Sequence, residues 1–477
     1  MKLAYDPGDG EAFWRGVSQL PGFPHGEPIP LRRMIFASGA IYGLPGLLRE
    51  LGVSQAAPLL VVMDPTEMKR GGESLKPLLL ETLRIADYKV QPLVLVPSPD
   101  GQVHTDERQI AAVKSHLRPG MAALSAGSGV VTDVTKHACY LFTQGGGGQI
   151  PFIVYQTANS VSAYTSNMAP VLVHGIKRTL PSRYPDALVC DLETLRDAPY
   201  EMTAAGVGDL LAATVSLPDW YLAHRLGMDD GYSELPAALT GDIVGILLSN
   251  SASIRGRTLQ GMSLLAKLIS LGGLAMSLVG ATTPMSGYEH VISHALDFIH
   301  EVKGEPLSLH GSQAALAALL GCQAYQFFLD EFDPRAVYLA GCFPAEGAMR
   351  EQIRAEFAAL DPSGTVGEEC WADYRLKLER WHARRDSVRL FLDEWELLKP
   401  VLRRLTCPPR RLQQVLAAVE APLRFSELDS PAGEPEARFA FFNAPLMRRR
   451  LTLGDALIFF GQDRQRIWRQ ILAMGWI

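Results

Sequence analysis

No Cys-x-x-Cys pair occurs in this chain; its six cysteines, at 139, 190, 322, 342, 370 and 407, are scattered. That spacing suggests neither a cysteine zinc knuckle nor a disulfide framework, so reduced, mostly structural thiols are expected. Excess basic charge is also missing: at a net charge of −6 the chain lacks the electrostatic footprint of a nucleic-acid binder, and no nucleic-acid partner is expected. Apolar runs such as 264–279 are interrupted by Lys267 and Gly272-Gly273 and fall short of the roughly 20 residues of a membrane span, so they read as buried helices. The first ten residues carry acids, proline and glycine where a secretory leader needs an apolar core, which points to a cytoplasmic protein.

What is present is ordinary globular composition, 47% apolar and 20% charged over 477 residues, enough for two or three domains. From about residue 31 to 189, short β-rich runs (59–63, 90–96, 150–155) alternate with helical stretches (74–85, 105–116, 130–140), the signature of βαβ units and a parallel sheet. Beyond about 180 amphipathic helical patterns dominate, at 198–216, 242–251, 261–279, 289–302 and 312–332. The expected architecture is an α/β domain over 1–185 followed by an all-α domain over 186–477, divided where Pro181, Pro185 and Pro199 punctuate the chain. The arginines at 403–404, 410–411 and 448–450 read as a solvated face or interhelix ion pairs, with phosphate binding as the alternative. Residues 430–436 read as an exposed loop and the glycines at 145–148 as a flexible one.

Two features carry chemistry. His290 and His294 are four residues apart, so a helix points both imidazoles the same way, and His310 opens a further segment. Imidazole ligates zinc, nickel and iron, though a core residue beside a surface one would have the same spacing. The second feature is the turn Gly127-Ser128-Gly129 between an expected strand and helix, where backbone N–H groups can approach a phosphate; a plain turn has the same composition. Asp64 follows the strand at 59–63, where a carboxylate can bond a ribose hydroxyl and favour NAD over NADP, or can simply form the turn before Pro65.

The longer motif Gly127-Ser128-Gly129-x-x-x-Asp133-x-x-Lys136, followed by Thr157-Ala158-Asn159-Ser160, resembles the NAD(P)-binding half of the sn-glycerol-1-phosphate dehydrogenase family, within the dehydroquinate synthase-like and iron-containing alcohol dehydrogenase superfamily. It differs from the Gly-x-Gly-x-x-Gly of ordinary dinucleotide folds. The resemblance continues through Ala205-Gly206-Val207-Gly208-Asp209, the run from Ser286 to Asp297, and His310-Gly311, and touches Gly175-Ile176-Lys177, Asp191 and 448–455. It implies a dehydroquinate synthase-like fold, a helical metal-binding domain and a homodimer. It further implies that Gly127, Ser128 and Gly129 cradle the pyrophosphate of NAD or NADP, with Asp133, Lys136, Thr157, Ser160 and Ser166 around the nucleotide; Asp133 equally suits a helix surface. Asp209, His290 and His310 would hold one divalent metal, zinc first, with nickel or iron as alternatives. Asp209 would also fix a substrate hydroxyl, and His294 would face the substrate, a small phosphorylated polyol or ketone.

One departure bears on the substrate. Where the resembled pattern carries an aspartate and a glycine, this chain has Ser162 and Ala163, and Asn159 stands in place of a small apolar residue. Losing that carboxylate puts glycerol-phosphate selectivity in question while leaving the reaction class intact. The competing expectations are a dehydroquinate synthase-like cyclase and a non-catalytic descendant that binds nucleotide or metal without turnover.

Overall fold

The computed structural model describes residues 3–26, 29–99, 101–173 and 176–477. Gly175, part of the resemblance above, lies outside them. The chain forms two compact units, the first comprising Met1–Leu210 and Ala238–Thr282, the second Leu211–Ala237 and Thr283–Ile477.

The first unit is built on six strands: β1 (Arg33–Ala37), β2 (Pro58–Met63), β3 (Lys89–Val94), β4 (Ala122–Gly127), β5 (Phe152–Gln156) and β6 (Ala187–Asp191). They lie in the order β1-β6-β5-β4-β2-β3, with every neighbouring pair parallel. Strands β4, β5 and β6 are buried along their whole length, as continuous apolar runs must be when helices cover both faces of a sheet. The edge strand β3 is largely exposed and carries Pro92, which lacks the N–H a central strand would need. Helices α1 (Ala40–Glu50), α2 (Leu75–Ile85), α3 (Glu107–His116) and α4 (Gly129–Phe142) connect them. Leu44, Leu48, Leu79 and Leu83 pack with Leu59, Val61 and Leu124 into the core on one face.

The order of these strands fixes where a ligand would sit. The chain steps outward from β2 to β3, then returns to the other side of β2 as β4, so the winding direction reverses between β2 and β4. Crevices at the carboxyl ends of strands flanking such a reversal are where open parallel sheets bind ligands. Met63 pairs with Ala126 there, which places Asp64 and Gly127 side by side.

The division between units differs from the one expected at residue 185. β6 begins at Ala187 and is buried inside the sheet, so the first unit cannot end before it. Helix α5 (Tyr200–Leu211) belongs to the first unit up to Leu210, and α6 (Leu259–Val279) returns to it. The pattern at 198–216 resolves into two helices, α5 and Ala213–Arg225. A hairpin of Met168–Val173 and Ile176–Pro181 adds strands the sequence pattern did not reveal.

α6 is longer than its interrupted pattern suggested. It has 21 residues, and an 18-residue window within it has a mean hydropathy of 1.8, so by length and composition it could cross a membrane, as could Leu235–Arg255. The interruption at Lys267 is neutralised by an ion pair to Asp6 at 2.7 Å, and 72% of the apolar window is buried, as expected of a core helix.

The second unit is helical, and α7 (Tyr288–Lys303) and α8 (His310–Glu331) lie at its centre. Its polar hub is Asp219, fully buried, which accepts from the backbone N–H groups of Tyr288 (2.7 Å) and Leu453 (2.9 Å) and from the Tyr325 hydroxyl. Burial, with the nearby charge of Glu289, pushes its carboxyl up to about 8 against the pull of those donors. The segment 430–436 is an exposed loop only in part: Pro431 and Gly433 are exposed, but Ser430 and Ala432 are buried, the Ser430 carbonyl accepts from the Ser308 hydroxyl at 2.9 Å, and helix Glu434–Asn443 starts within it. The glycines near 145–148 form a single π-helical turn, Thr143–Gly147, in which Gly146 takes φ +81°.

Candidate active site

The glycine turn expected to hold the nucleotide sits at the switch point. Gly127 closes β4, Ser128 precedes α4 and Gly129 opens it. A Cβ on Gly127 would lie 2.5 Å from the Val131 side chain, and one on Gly129 2.6 Å from Val161, so neither position admits a larger residue. The Ser128 side chain does not cap the helix, leaving the N–H groups of its first turn to an acceptor of another kind. This geometry suits a pyrophosphate. Thr157 donates its N–H to the Gly127 carbonyl at 3.2 Å, tying the end of β5 to the end of β4. Asp64 accepts through Oδ1 from the Thr66 N–H (3.1 Å) and the Lys76 ammonium (2.8 Å), which are the contacts of a turn former, at a place suited to a ribose.

Asp133 and Lys136 are buried within α4. The Lys136 ammonium lies 2.6 Å from Asp133 Oδ1 and donates to the Ala163 carbonyl at 3.1 Å, so this pair braces the loop that follows β5. In that loop Ser160 Oγ lies 3.2 Å from the Tyr164 hydroxyl, itself a donor to the Ala158 carbonyl. Ser166 Oγ accepts from the Met168 N–H at 3.1 Å.

The same loop is clamped from two further sides. Gly206 on α5 packs so closely that a Cβ would fall 2.0 Å from the Asn159 carbonyl oxygen, and a Cβ on Gly273 of α6 would meet Thr165 Oγ1 at 2.2 Å. Asn159 donates to the Met262 carbonyl at 3.1 Å. The approach carries Ser162 onto Asp209, whose Oδ2 accepts both the Ser162 N–H (2.8 Å) and its hydroxyl (2.7 Å). The residue that replaces the resembled aspartate therefore holds the carboxylate of Asp209. Gly206→Ala is expected to cost about 1–3 kcal/mol of stability, because backbone cannot yield as a flexible side chain would. Thermal unfolding measures this, and an unchanged Tm would contradict the clamp.

In the second unit α7 and α8 bring three imidazoles together. The His290 and His310 ring centroids are 4.8 Å apart, His290 and His294 6.2 Å, and His294 and His310 6.0 Å. His290 is buried and His310 half-buried. Glu289, fully buried, places Oε1 2.9 Å from His290 Nδ1 and also accepts the Gly287 N–H at 2.7 Å. A carboxylate at Nδ1 fixes the proton there and leaves Nε2 as the coordinating nitrogen, an arrangement common behind metal-binding histidines. His294 differs. Its Nδ1 faces Arg448 Nη2 at 3.3 Å, a group that can only donate, so the proton of a neutral His294 belongs on Nε2.

Sequence reading missed the roles of Glu289 and Arg448 and the bond from Ser162 to Asp209. The Glu-His dipeptide held the first signal, since a carboxylate beside a candidate ligand is a natural orienter. The arginine-rich stretches read from sequence as a solvated face or interhelix ion pairs, with phosphate binding as the alternative. That reading describes Arg403, paired with Asp330 at 2.9 Å, but not Arg448 or Arg450, which turn inward; Arg450 donates to the Ser286 carbonyl. Nothing in residue type distinguishes the two cases.

The family described as iron-containing alcohol dehydrogenase matches residues 35–199. A glycerol-1-phosphate dehydrogenase [NAD(P)+] of Bacillus subtilis (strain 168) is 32% identical over 285 residues, 58% of this chain and 67% of the relative. That of Bacillus licheniformis is 30% identical over 302 residues, 63% of this chain and 72% of the relative. The chain belongs to the glycerol-1-phosphate dehydrogenase family. Its matched segment spans about two thirds of the length of these relatives. The fold extends further than the sequence match: an alcohol dehydrogenase from Oenococcus oeni, 16% identical, aligns with 90% of this chain and 97% of its own at a TM-score of 0.52. Members of this family are oxidoreductases, and the parallel-sheet unit followed by a largely helical unit is their architecture.

Proposed function

We propose that this protein is a metal-dependent, NAD(P)-linked dehydrogenase that interconverts a polyol phosphate and its ketone, with dihydroxyacetone phosphate or a close relative as the ketone. The observation that carries the reading is that two of its three would-be ligands are each held by a dedicated partner, Asp209 by Ser162 and His290 by Glu289. Such orienting bonds are what metal ligands need. Asp209, His290 and His310 offer one carboxylate oxygen and two ring nitrogens, a set that suits a divalent first-row ion, zinc by first choice with nickel or iron as alternatives.

A bound cation would supply Lewis-acid stabilisation of charge on the substrate oxygen, and the nicotinamide would supply or accept the hydride. The chain's own residues do the rest. Gly127, Ser128 and Gly129 would seat the pyrophosphate, with Thr157, Ser160 and Ser166 lining the loop beside it and Asp133 and Lys136 bracing that loop from α4. Asp64 would lie at the ribose. His294, with its proton on Nε2, would donate a hydrogen bond to the substrate oxygen, and solvent would carry the proton that the alcohol gains or loses. Ser162 offers no carboxylate to a substrate hydroxyl, so tolerance of ketones other than dihydroxyacetone phosphate is expected. Six free, buried thiols suit a reducing, cytoplasmic setting.

A screen of NADH and NADPH oxidation over ketose phosphates, on protein of known metal content, tests the reading. Repeated turnover with at least one such ketone is expected. Failure with all of them, or a single turnover with carbocycle formation, would replace it with a non-catalytic or cyclase role.

A further inference from the structure

The inward-turned arginines are unused by the reaction as described. Arg448 is half-buried and lies 3.3 Å from His294, the residue placed at the substrate oxygen. Arg450, two residues on, is close enough that the like charge of Arg448 adds to burial in pushing its pKa down. Two guanidinium groups lie near each other beside three imidazoles, and the carboxylates of Glu289, Asp219 and Asp229 act on Arg450 with the opposite sign to Arg448. The guanidinium plane matches two oxygens of a phosphate at once, which an ammonium cannot do.

We propose that Arg448 is the specificity-determining residue of the substrate site and binds the phosphate of a phosphorylated ketone. The inference rests on the dehydrogenase reading above and names the group that selects its substrate class. The reach follows from the covalent structure of the substrate. In a three-carbon ketose phosphate only one carbon and one ester oxygen separate the carbonyl carbon from phosphorus, so a ketone oxygen near His294 brings its phosphate to the neighbouring guanidinium. Arg450 is already committed to the Ser286 carbonyl and acts through its charge, whereas Arg449 is exposed.

The test compares wild type, Arg448→Ala, Arg448→Lys and Arg449→Ala as full-length, metal-loaded enzyme with dihydroxyacetone phosphate and with unphosphorylated dihydroxyacetone. His294 serves both ketones, so any disturbance of it lowers both kcat values alike, and the ratio between substrates isolates the phosphate contact. Arg448→Ala is expected to raise KM for the phosphorylated ketone about 100-fold relative to the unphosphorylated one, the equivalent of two charge-assisted hydrogen bonds. Arg448→Lys should recover part of that loss, and Arg449→Ala should behave as wild type. An unchanged ratio in Arg448→Ala overturns the proposal. Calorimetric titration of inorganic phosphate into metal-free protein keeps the question open to decision even if wild type turns over neither ketone, an outcome that would sink the dehydrogenase reading alone. Binding to wild type that Arg448→Ala abolishes sustains the role of Arg448; binding that survives the substitution, or no binding to wild type, overturns it.

Discussion

His290→Ala is expected to lower kcat/KM by at least about a thousandfold while leaving NADH binding unchanged. The argument runs from geometry to energy. Glu289 fixes the proton of His290 on Nδ1, so alanine removes a pre-oriented Nε2 donor from the proposed three-ligand set. Metal stabilisation of developing charge is worth several kcal/mol, and each 1.4 kcal/mol is about tenfold in rate. The nucleotide end is built from β2, β4, β5 and α4 in the other unit, so cofactor fluorescence on binding should not move. The substitution also strips a partner from the buried Glu289 carboxylate, at a cost of about 1–3 kcal/mol. Thermal unfolding run beside the kinetics separates that effect from the catalytic one. Activity that survives in a folded His290→Ala protein would end the metal mechanism.

Ser162→Ala is expected to weaken metal binding about 10–100-fold, as loss of an outer-shell partner commonly does. The hydroxyl supplies one of two hydrogen bonds to Asp209 Oδ2, at 2.7 Å, and the backbone N–H supplies the other at 2.8 Å and survives the change. Alanine fits where serine was, so stability should fall only modestly. Cobalt titration followed by its visible absorption reads the affinity without relying on turnover. An affinity equal to wild type would show that Ser162 is only a surrogate for the missing aspartate and has no hold on Asp209.

Much of the first unit was legible because parallel strands buried on both faces are written as unbroken apolar runs. β2, β4 and β5 and their helices fall within a few residues of the pattern, and the glycine turn stands at the strand-to-helix junction. The edge β3 was displaced by a residue or two, since exposed positions carry little periodicity. The division between units differs because prolines at 181 and 185 signalled an end, while β6, only five residues long, inserts between β1 and β5 after them. Pairing across such distances leaves no local trace. The candidate site divides in the same way. Spacing singled out His290, His294 and His310 and the family resemblance added Asp209, but the partners that orient them depend on approaches only the folded chain reveals. Ser162 reaches Asp209 because Gly206 and Gly273 let two helices press on one loop. Arg448 reaches His294 from 154 positions away in the chain.

The most direct measurement is NADH oxidation with dihydroxyacetone phosphate by enzyme stripped of metal and titrated with zinc. Activity is expected to be absent at the start and to rise to a plateau at one ion per chain, with Asp209→Asn and His310→Ala failing to recover. Full activity without metal, or recovery in both variants equal to wild type, would contradict the account.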